Sequence, residues 1–180
     1  KRAIVVGRNL KETERMLSAL LLLEHIKNQG VTDVVGLPDN GSRALFEALC
    51  IDSSVRVINV SREGETFAIA SGLYLGGRKP IVIIQNTGFL ETGDAFRGTS
   101  YNMAIPIVMI MGYRGYKTMA PGSERVDTAA TFLEPTLNAW NIPYSLLLAD
   151  EEIEPQLNDA FSKAEATSLP AAVLLGCDTE

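Results

Sequence analysis

In the stretch Arg62-Glu-Gly-Glu-Thr-Phe-Ala-Ile-Ala-Ser-Gly-Leu-Tyr-Leu-Gly-Gly77, two carboxylates head a segment that is otherwise small and apolar. An acid so placed can hold or pass a proton to a ligand. Val55-Arg-Val-Ile-Asn-Val60, just before it, reads as a short buried strand. Ala68, Ala70, Ser71 and Gly72 let the helix that follows pack closely. Glu63 therefore falls where a strand hands over to a helix, the edge at which open α/β sheets bind ligands. The plainer reading is that Glu63 and Glu65 are first-turn acids stabilised by the helix macrodipole.

Two more strand ends carry chemistry-bearing residues. Val34-Val-Gly-Leu-Pro-Asp-Asn-Gly41 runs from a strand into a turn, where Asp39 follows Pro38 and can satisfy local backbone amides. Pro80-Ile-Val-Ile-Ile-Gln-Asn-Thr-Gly88 runs into a turn that opens a helix. There Asn86, Thr87 and Gly88 combine backbone amides with a glycine that permits close approach of a ligand, although a simple helix start accounts for the threonine and glycine as well. The lone His25, near the end of the first helix, reads as a packing or capping residue. Cys50 and Cys177 lie far apart and show no paired spacing, so both read as reduced core residues of a cytoplasmic protein. One histidine and two scattered cysteines exclude a protein-only transition-metal site.

The elements that must position these groups alternate regularly. The pattern predicts a helix over Glu12–Gln29 stopped by Gly30, a strand over Asp33–Leu37, and a helix from Ser42. The strand Val55–Val60 precedes the Glu63 helix, and the strand Pro80–Gln85 is followed by a helix after Gly88. Then come the strand Pro106–Gly112, a helix over Phe132–Trp140, the strand Tyr144–Leu148, a helix over Glu151–Ala166 and the strand Ala171–Leu175. Several strands lack polar alternation, which predicts an α/β fold, doubly wound, with a mostly parallel sheet covered by helices on both faces. Tyr116–Thr131 is the one long irregular connection, a place for substrate contacts or a cover.

Composition bounds the function. The 180 residues, 46% hydrophobic, suffice for a single compact domain over 1–180, with residues 1–10 left unassigned as a flexible or processing-derived end. A net charge of −6 without a basic face argues against nucleic acid. The most apolar stretches, around Leu20–Leu23 and Ile105–Met111, fall short of the ~20 residues that cross a bilayer. No G-x-G-x-x-G turn follows the first strand and no P-loop is present, which argues against a flavodoxin-like or nucleotide-binding protein.

Gly-Leu-Pro-Asp39 at one strand end, Arg62-Glu-Gly-Glu before a small-residue helix, Gln85-Asn-Thr-Gly88 at another end, Ile105-Pro-Ile-Val-Met-Ile-Met-Gly-Tyr-Arg-Gly115 and Asn141-Ile-Pro-Tyr144 occur in that register. Together they resemble the pyrimidine-binding domain of thiamine diphosphate-dependent 2-oxo acid decarboxylases, in particular the sulfopyruvate and phosphonopyruvate decarboxylase branch. The similarity runs from about Leu17 to Leu175. In that family the essential acid lies nine positions ahead of the glycine closing its small-residue run, which from Gly72 selects Glu63 over Glu65. The resemblance implies that Glu63 hydrogen-bonds a ring nitrogen of the cofactor's aminopyrimidine and promotes formation of the thiazolium ylid that attacks a 2-oxo acid. Phe67, Ala68 and the preceding strand are expected to shield it from water.

The same resemblance places Pro38, Asn86, Thr87 and Gly88 against the cofactor and sets Asp39 beside the reacting carbon. Arg97 and Arg114 become candidates to hold a second anionic group of the substrate, because guanidinium matches sulfonate, phosphonate and carboxylate geometry. The diphosphate and its magnesium ion need a Gly-Asp-Gly-type motif with a later asparagine. Gly93-Asp-Ala95 imitates its start but lacks that asparagine and falls inside a helix. Magnesium and diphosphate are therefore assigned to a separate β subunit, with an α2β2 or larger hetero-oligomer as the working form. One departure stands out: Tyr116-Lys-Thr-Met-Ala-Pro-Gly-Ser-Glu-Arg-Val-Asp127 contains no histidine, where sulfopyruvate decarboxylases carry an acidic, histidine-containing segment. A carboligating enzyme subunit, or a non-catalytic module on the same scaffold, are the alternatives.

Overall fold

The computed structural model describes residues 16–180. Six strands, β1 (Asp33–Gly36), β2 (Arg56–Asn59), β3 (Pro80–Gln85), β4 (Val108–Gly112), β5 (Tyr144–Leu147) and β6 (Ala171–Leu175), form one sheet in the order β2-β1-β3-β4-β6-β5. Every pairing is parallel, with Val35 level with Ile58 and Val82, and Met111 level with Ile84 and Leu174. All six carboxyl ends therefore meet at one edge.

Successive strand residues feed opposite cores. Val34, Ile81, Ile83, Ile110 and Val173 pack under α1 (Ala19–Asn28), α2 (Arg43–Ile51) and α7 (Ile153–Thr167), through Leu22, Leu45 and Leu157. Val35, Val82, Ile84, Met109 and Leu174 pack under α3 (Thr66–Leu75), α4 (Asn86–Glu91) and α6 (Thr128–Ala139), through Phe67, Phe89 and Leu133. The central strands are buried on both faces, which is why they read as unbroken apolar runs. A short α5 (Gly93–Ala95) and a π-helical turn, Phe96–Tyr101, extend α4 across the end of α3. The chain leaves β2 on one side of β1 and re-enters at β3 on the other, so the sheet's switch point lies between the ends of β1 and β3.

Several expected boundaries move. The first helix starts at Ala19, not Glu12: Leu17 is extended and bridges to Thr179, and the Ser18 hydroxyl caps α1 by accepting from the Leu21 amide at 3.3 Å. Residues 12–15, like the unassigned residues 1–10, lie outside the described part. The strand expected to be buried is an edge strand, with Arg56 and Asn59 exposed, because nothing pairs its outer side among the described residues. The helix expected after Gly88 begins at Asn86. Likewise α6 begins at Thr128 rather than Phe132, because the Asp127 side chain accepts from the Ala129 amide at 3.0 Å and supplies the N-cap. The irregular loop shrinks accordingly, and a 3-10 turn over Tyr116–Met119 occupies its start. Cys177 is buried, but Cys50, expected in the core, sits exposed on α2.

Candidate active site

Glu63 opens a single 3-10 turn, Glu63–Glu65, that runs into α3 at the carboxyl edge. The structure separates the two acids sharply. Glu65 Oε2 accepts from the amides of Ser61 and Arg62 at 3.1 and 3.3 Å, so its carboxylate is spent on the helix start. The Glu63 carboxylate makes no hydrogen bond among the described residues. It is half-buried, and its side chain lies on Gly88: a Cβ at position 88 would come within 2.2 Å of Glu63 Cγ. Two acids two positions apart thus differ in role because only one of them faces the neighbouring strand end. Phe67 is buried beneath, whereas Ala68, expected to line this acid's surroundings, points outward and is exposed. Arg62 ties the turn to α4 through Glu91, at 2.9 Å from Nε and 2.6 Å from Nη2.

Asn86 is fully buried and acts as a strut. Its Nδ2 donates to the Arg114 carbonyl at 3.0 Å and its Oδ1 accepts from the Thr87 amide at 3.1 Å, so it couples the ends of β3 and β4. Thr87 donates its hydroxyl to Gln85 Oε1 at 2.7 Å. Asp39 does what a turn aspartate does, accepting from the amides of Gly41 and Ser42 at 2.7 and 3.3 Å and from the Ser42 hydroxyl at 2.6 Å. Its carboxylate also lies over Gly112 and borders a cavity of about 180 Å³. Pro38, just before it, is exposed at the end of β1.

That cavity gathers the ends of β1, β3, β4 and β6. Its polar and charged lining includes Asp39, Gln85, Arg114, Lys117 and Asp178. Gly115 shapes the wall: it has φ +83°, and a Cβ there would stand 2.6 Å from Asp127 Cβ, so the chain can turn from β4 into the 3-10 segment only without a side chain. Arg114 lines the cavity and donates from Nε to Asp127 at 3.1 Å. Arg97 does not line it; its guanidinium is exposed and bonds Asp94 at 2.6 Å, one turn away. Sequence reasoning missed Gln85, Lys117 and Asp178. The strand-end rule that selected Asp39 and Asn86 would have selected Gln85 and Asp178, whereas nothing in the pattern distinguished Lys117 within its segment.

Charge is arranged differently elsewhere. At the opposite edge, fully buried Asp33 accepts from Arg56 Nε at 2.5 Å, Arg78 Nε at 2.8 Å and the Thr32 hydroxyl at 2.7 Å. Burial pushes its pKa up, but the bonds from Arg78, Thr32 and Arg56 outweigh this and hold it below the usual carboxylate value. Beside the cavity, Glu134 accepts from the hydroxyls of Tyr113 and Tyr144 at 3.0 and 2.9 Å, anchoring α6 to β4 and β5. Burial and this carboxylate raise both phenols, so they stay neutral donors.

A half-buried acid with an unspent carboxylate stands over a glycine cradle, and among the described residues no group of three His, Cys, Asp or Glu could hold a metal ion. No described helix is long and apolar enough to cross a membrane. Comparison with known proteins identifies the family. Residues 17–130 match the profile of the thiamine pyrophosphate enzyme N-terminal TPP binding domain. The chain is 27% identical over 153 residues to sulfopyruvate decarboxylase subunit alpha of Methanococcus maripaludis, covering 83% of this chain and 89% of that protein. Its counterpart from Methanocaldococcus jannaschii is 25% identical over 160 residues, covering 88% and 93%. Phosphonopyruvate decarboxylase of Streptomyces hygroscopicus is 33% identical over 100 residues, 56% of this chain, and the chain spans only 25% of that longer protein. Because that profile spans well over half of the chain, the chain belongs to the thiamine pyrophosphate enzyme family, as a TPP-binding N-terminal domain similar to those of sulfopyruvate and phosphonopyruvate decarboxylases.

Proposed function

We propose that this chain is the pyrimidine-binding α half of a split decarboxylase acting on a 2-oxo acid with a second anionic group. The observation that carries the proposal is the Glu63 carboxylate, unspent and seated on Gly88 at the switch-point edge. Thiamine diphosphate, when bound, supplies an electron sink for the pair released as carbon dioxide leaves a 2-oxo acid. Glu63 holds a proton against a ring nitrogen of the aminopyrimidine, with Gly88 and Thr87 offering close backbone approach. Asp39, kept in one rotamer by three turn hydrogen bonds, presents its carboxylate to the cavity in which the 2-oxo acid reacts. Asn86 keeps the two halves of that edge in register. Of the two arginines, Arg114 is the one the cavity supports as an anion partner.

Magnesium and the diphosphate fall to a separate β subunit, and the pair assembles as α2β2 or larger. Two facts support a partner. The relatives from Methanococcus and Methanocaldococcus are named subunit alpha. The helix α3 also presents an apolar outer face, with Ala68, Gly72, Tyr74 and Leu75 left exposed by the described residues. We place the assembly in the cytoplasm. The histidine-free segment Tyr116–Asp127 favours one alternative, ligation of the decarboxylated unit to a second carbonyl, which product analysis distinguishes from simple decarboxylation.

Hydrogen–deuterium exchange at the cofactor's thiazolium carbon, measured in the reconstituted complex, tests the proposal. Glu63→Gln should slow exchange by ~10²–10⁴-fold, the range of a general acid–base group, with the fold intact. Glu65→Gln should leave exchange nearly unchanged. An unaltered rate in Glu63→Gln would remove this acid from the reaction.

A further inference from the structure

Lys117 stands apart from the other charged residues of the cavity. Asp39 is oriented by its bonds from the Gly41 and Ser42 turn, and Arg114 is engaged by Asp127. Lys117 lines the cavity from the 3-10 turn after β4, and its ammonium forms no ion pair or hydrogen bond among the described residues. Across the cavity, at the end of β6, Asp178 likewise has no side-chain partner among the described residues. Cations thus come from the segment after β4, and acids from the ends of β1 and β6. The volume of about 180 Å³ suits a small organic anion rather than a large tail.

We infer that Lys117 is a specificity-determining residue: it receives the non-reacting anionic end of the substrate, together with Arg114, while Asp178 opposes that charge and tunes the preference. The inference rests on the 2-oxo acid reading above and names the residue that chooses among such acids. A compact ammonium on a flexible stem accepts sulfonate, phosphonate or carboxylate alike, whereas a guanidinium already bound to Asp127 supplies fixed orientation. The Gly115 turn makes this placement specific, because its left-handed backbone aims the 3-10 segment back over the sheet edge. Since Lys117 is exposed, its effect is that of one ion pair at a hydrated rim and weakens with salt.

Two measurements decide it. The first is calorimetric titration of the full chain with phosphonoacetate, an unreactive dianion. Lys117→Met should weaken binding roughly fivefold to tenfold and flatten its salt dependence, and Asp178→Asn should tighten it severalfold, in proportion to one charge at close range. Equal affinity in wild type and Lys117→Met, or no binding by wild type, would overturn the inference. The second is carbon dioxide release by the reconstituted complex. Lys117→Met should raise KM for sulfopyruvate and phosphonopyruvate and leave pyruvate unchanged. A parallel rise for pyruvate would overturn charge recognition in favour of a structural effect. Failure of every 2-oxo acid to release carbon dioxide would instead sink the decarboxylase reading, with the calorimetry still deciding whether Lys117 holds an anion.

Discussion

Gly88 and Glu63 compete for the same small volume: a Cβ at position 88 would also stand 2.5 Å from Glu63 Cδ and Oε1. Gly88→Ala should therefore displace the carboxylate without harming the fold, because the obstacle is the flexible end of a side chain and alanine favours a helix over glycine by up to ~1 kcal/mol. The expected result is an unchanged or higher melting temperature with thiazolium exchange slowed at least ~10-fold. A variant that exchanges normally would mean that the acid acts from a different position. The converse applies to Glu65. Its two bonds to the Ser61 and Arg62 amides make Glu65→Ala a stability variant, costing about 1 kcal/mol in denaturant unfolding. At this scale the sequence offered two equivalent acids, and the spacing to Gly72 selected Glu63 only through a family resemblance. The hydrogen bonds separate them by geometry, since one carboxylate folds back on its own turn and the other crosses to the next strand end.

Among the elements, β1 is pinned at its amino end by the buried Asp33 cluster. Asp33→Asn removes the buried charge and one of the two carboxylate oxygens that Arg56 and Arg78 bond, and should cost about 2–3 kcal/mol, as for hydrogen bonds to a charged group. The pH dependence follows from the direction of the shift. With a folded pKa below the unfolded value of about 3.9, the contribution is complete above pH ~4 and disappears as pH falls through the folded value. Denaturant titrations should show wild type losing stability in that acid range and Asp33→Asn losing less. The turn after β4 carries a second element-scale prediction. Gly115→Ala meets both a positive φ and Asp127 Cβ, so it should cost at least ~1–2 kcal/mol and misplace the Tyr116–Met119 segment. Boundaries were less legible than the elements themselves. The start of α1 depended on Leu17 pairing with Thr179 from the far end of the chain, and the start of α6 on an Asp127 cap that the apolar pattern from Phe132 obscured.

For the molecule as a whole, the split-site proposal predicts weak cofactor binding by the isolated chain. Calorimetry with thiamine diphosphate and magnesium should show little heat until the β subunit is added. Tight binding by this chain alone would sink the split-site proposal. The uncovered face of α3 makes a related point about stability: burying Tyr74 and Leu75, now 40% and 64% exposed, should raise the melting temperature on assembly.

The sequence alone determined the layered α/β architecture, because strands buried on two faces must be apolar throughout and the helices between them must show a helical period. It also determined that Asp39, Glu63 and Asn86 sit at strand ends, since each follows such a run. What only the tertiary structure decided was which side chains share a space. The strand order brings β1, β3, β4 and β6 together across sequence gaps that no periodicity reports, so it placed Lys117 and Asp178 at one cavity and left Arg97 outside it. It also exposed Cys50 and Ala68, because a helix covers the sheet with one side only and residue type does not say which.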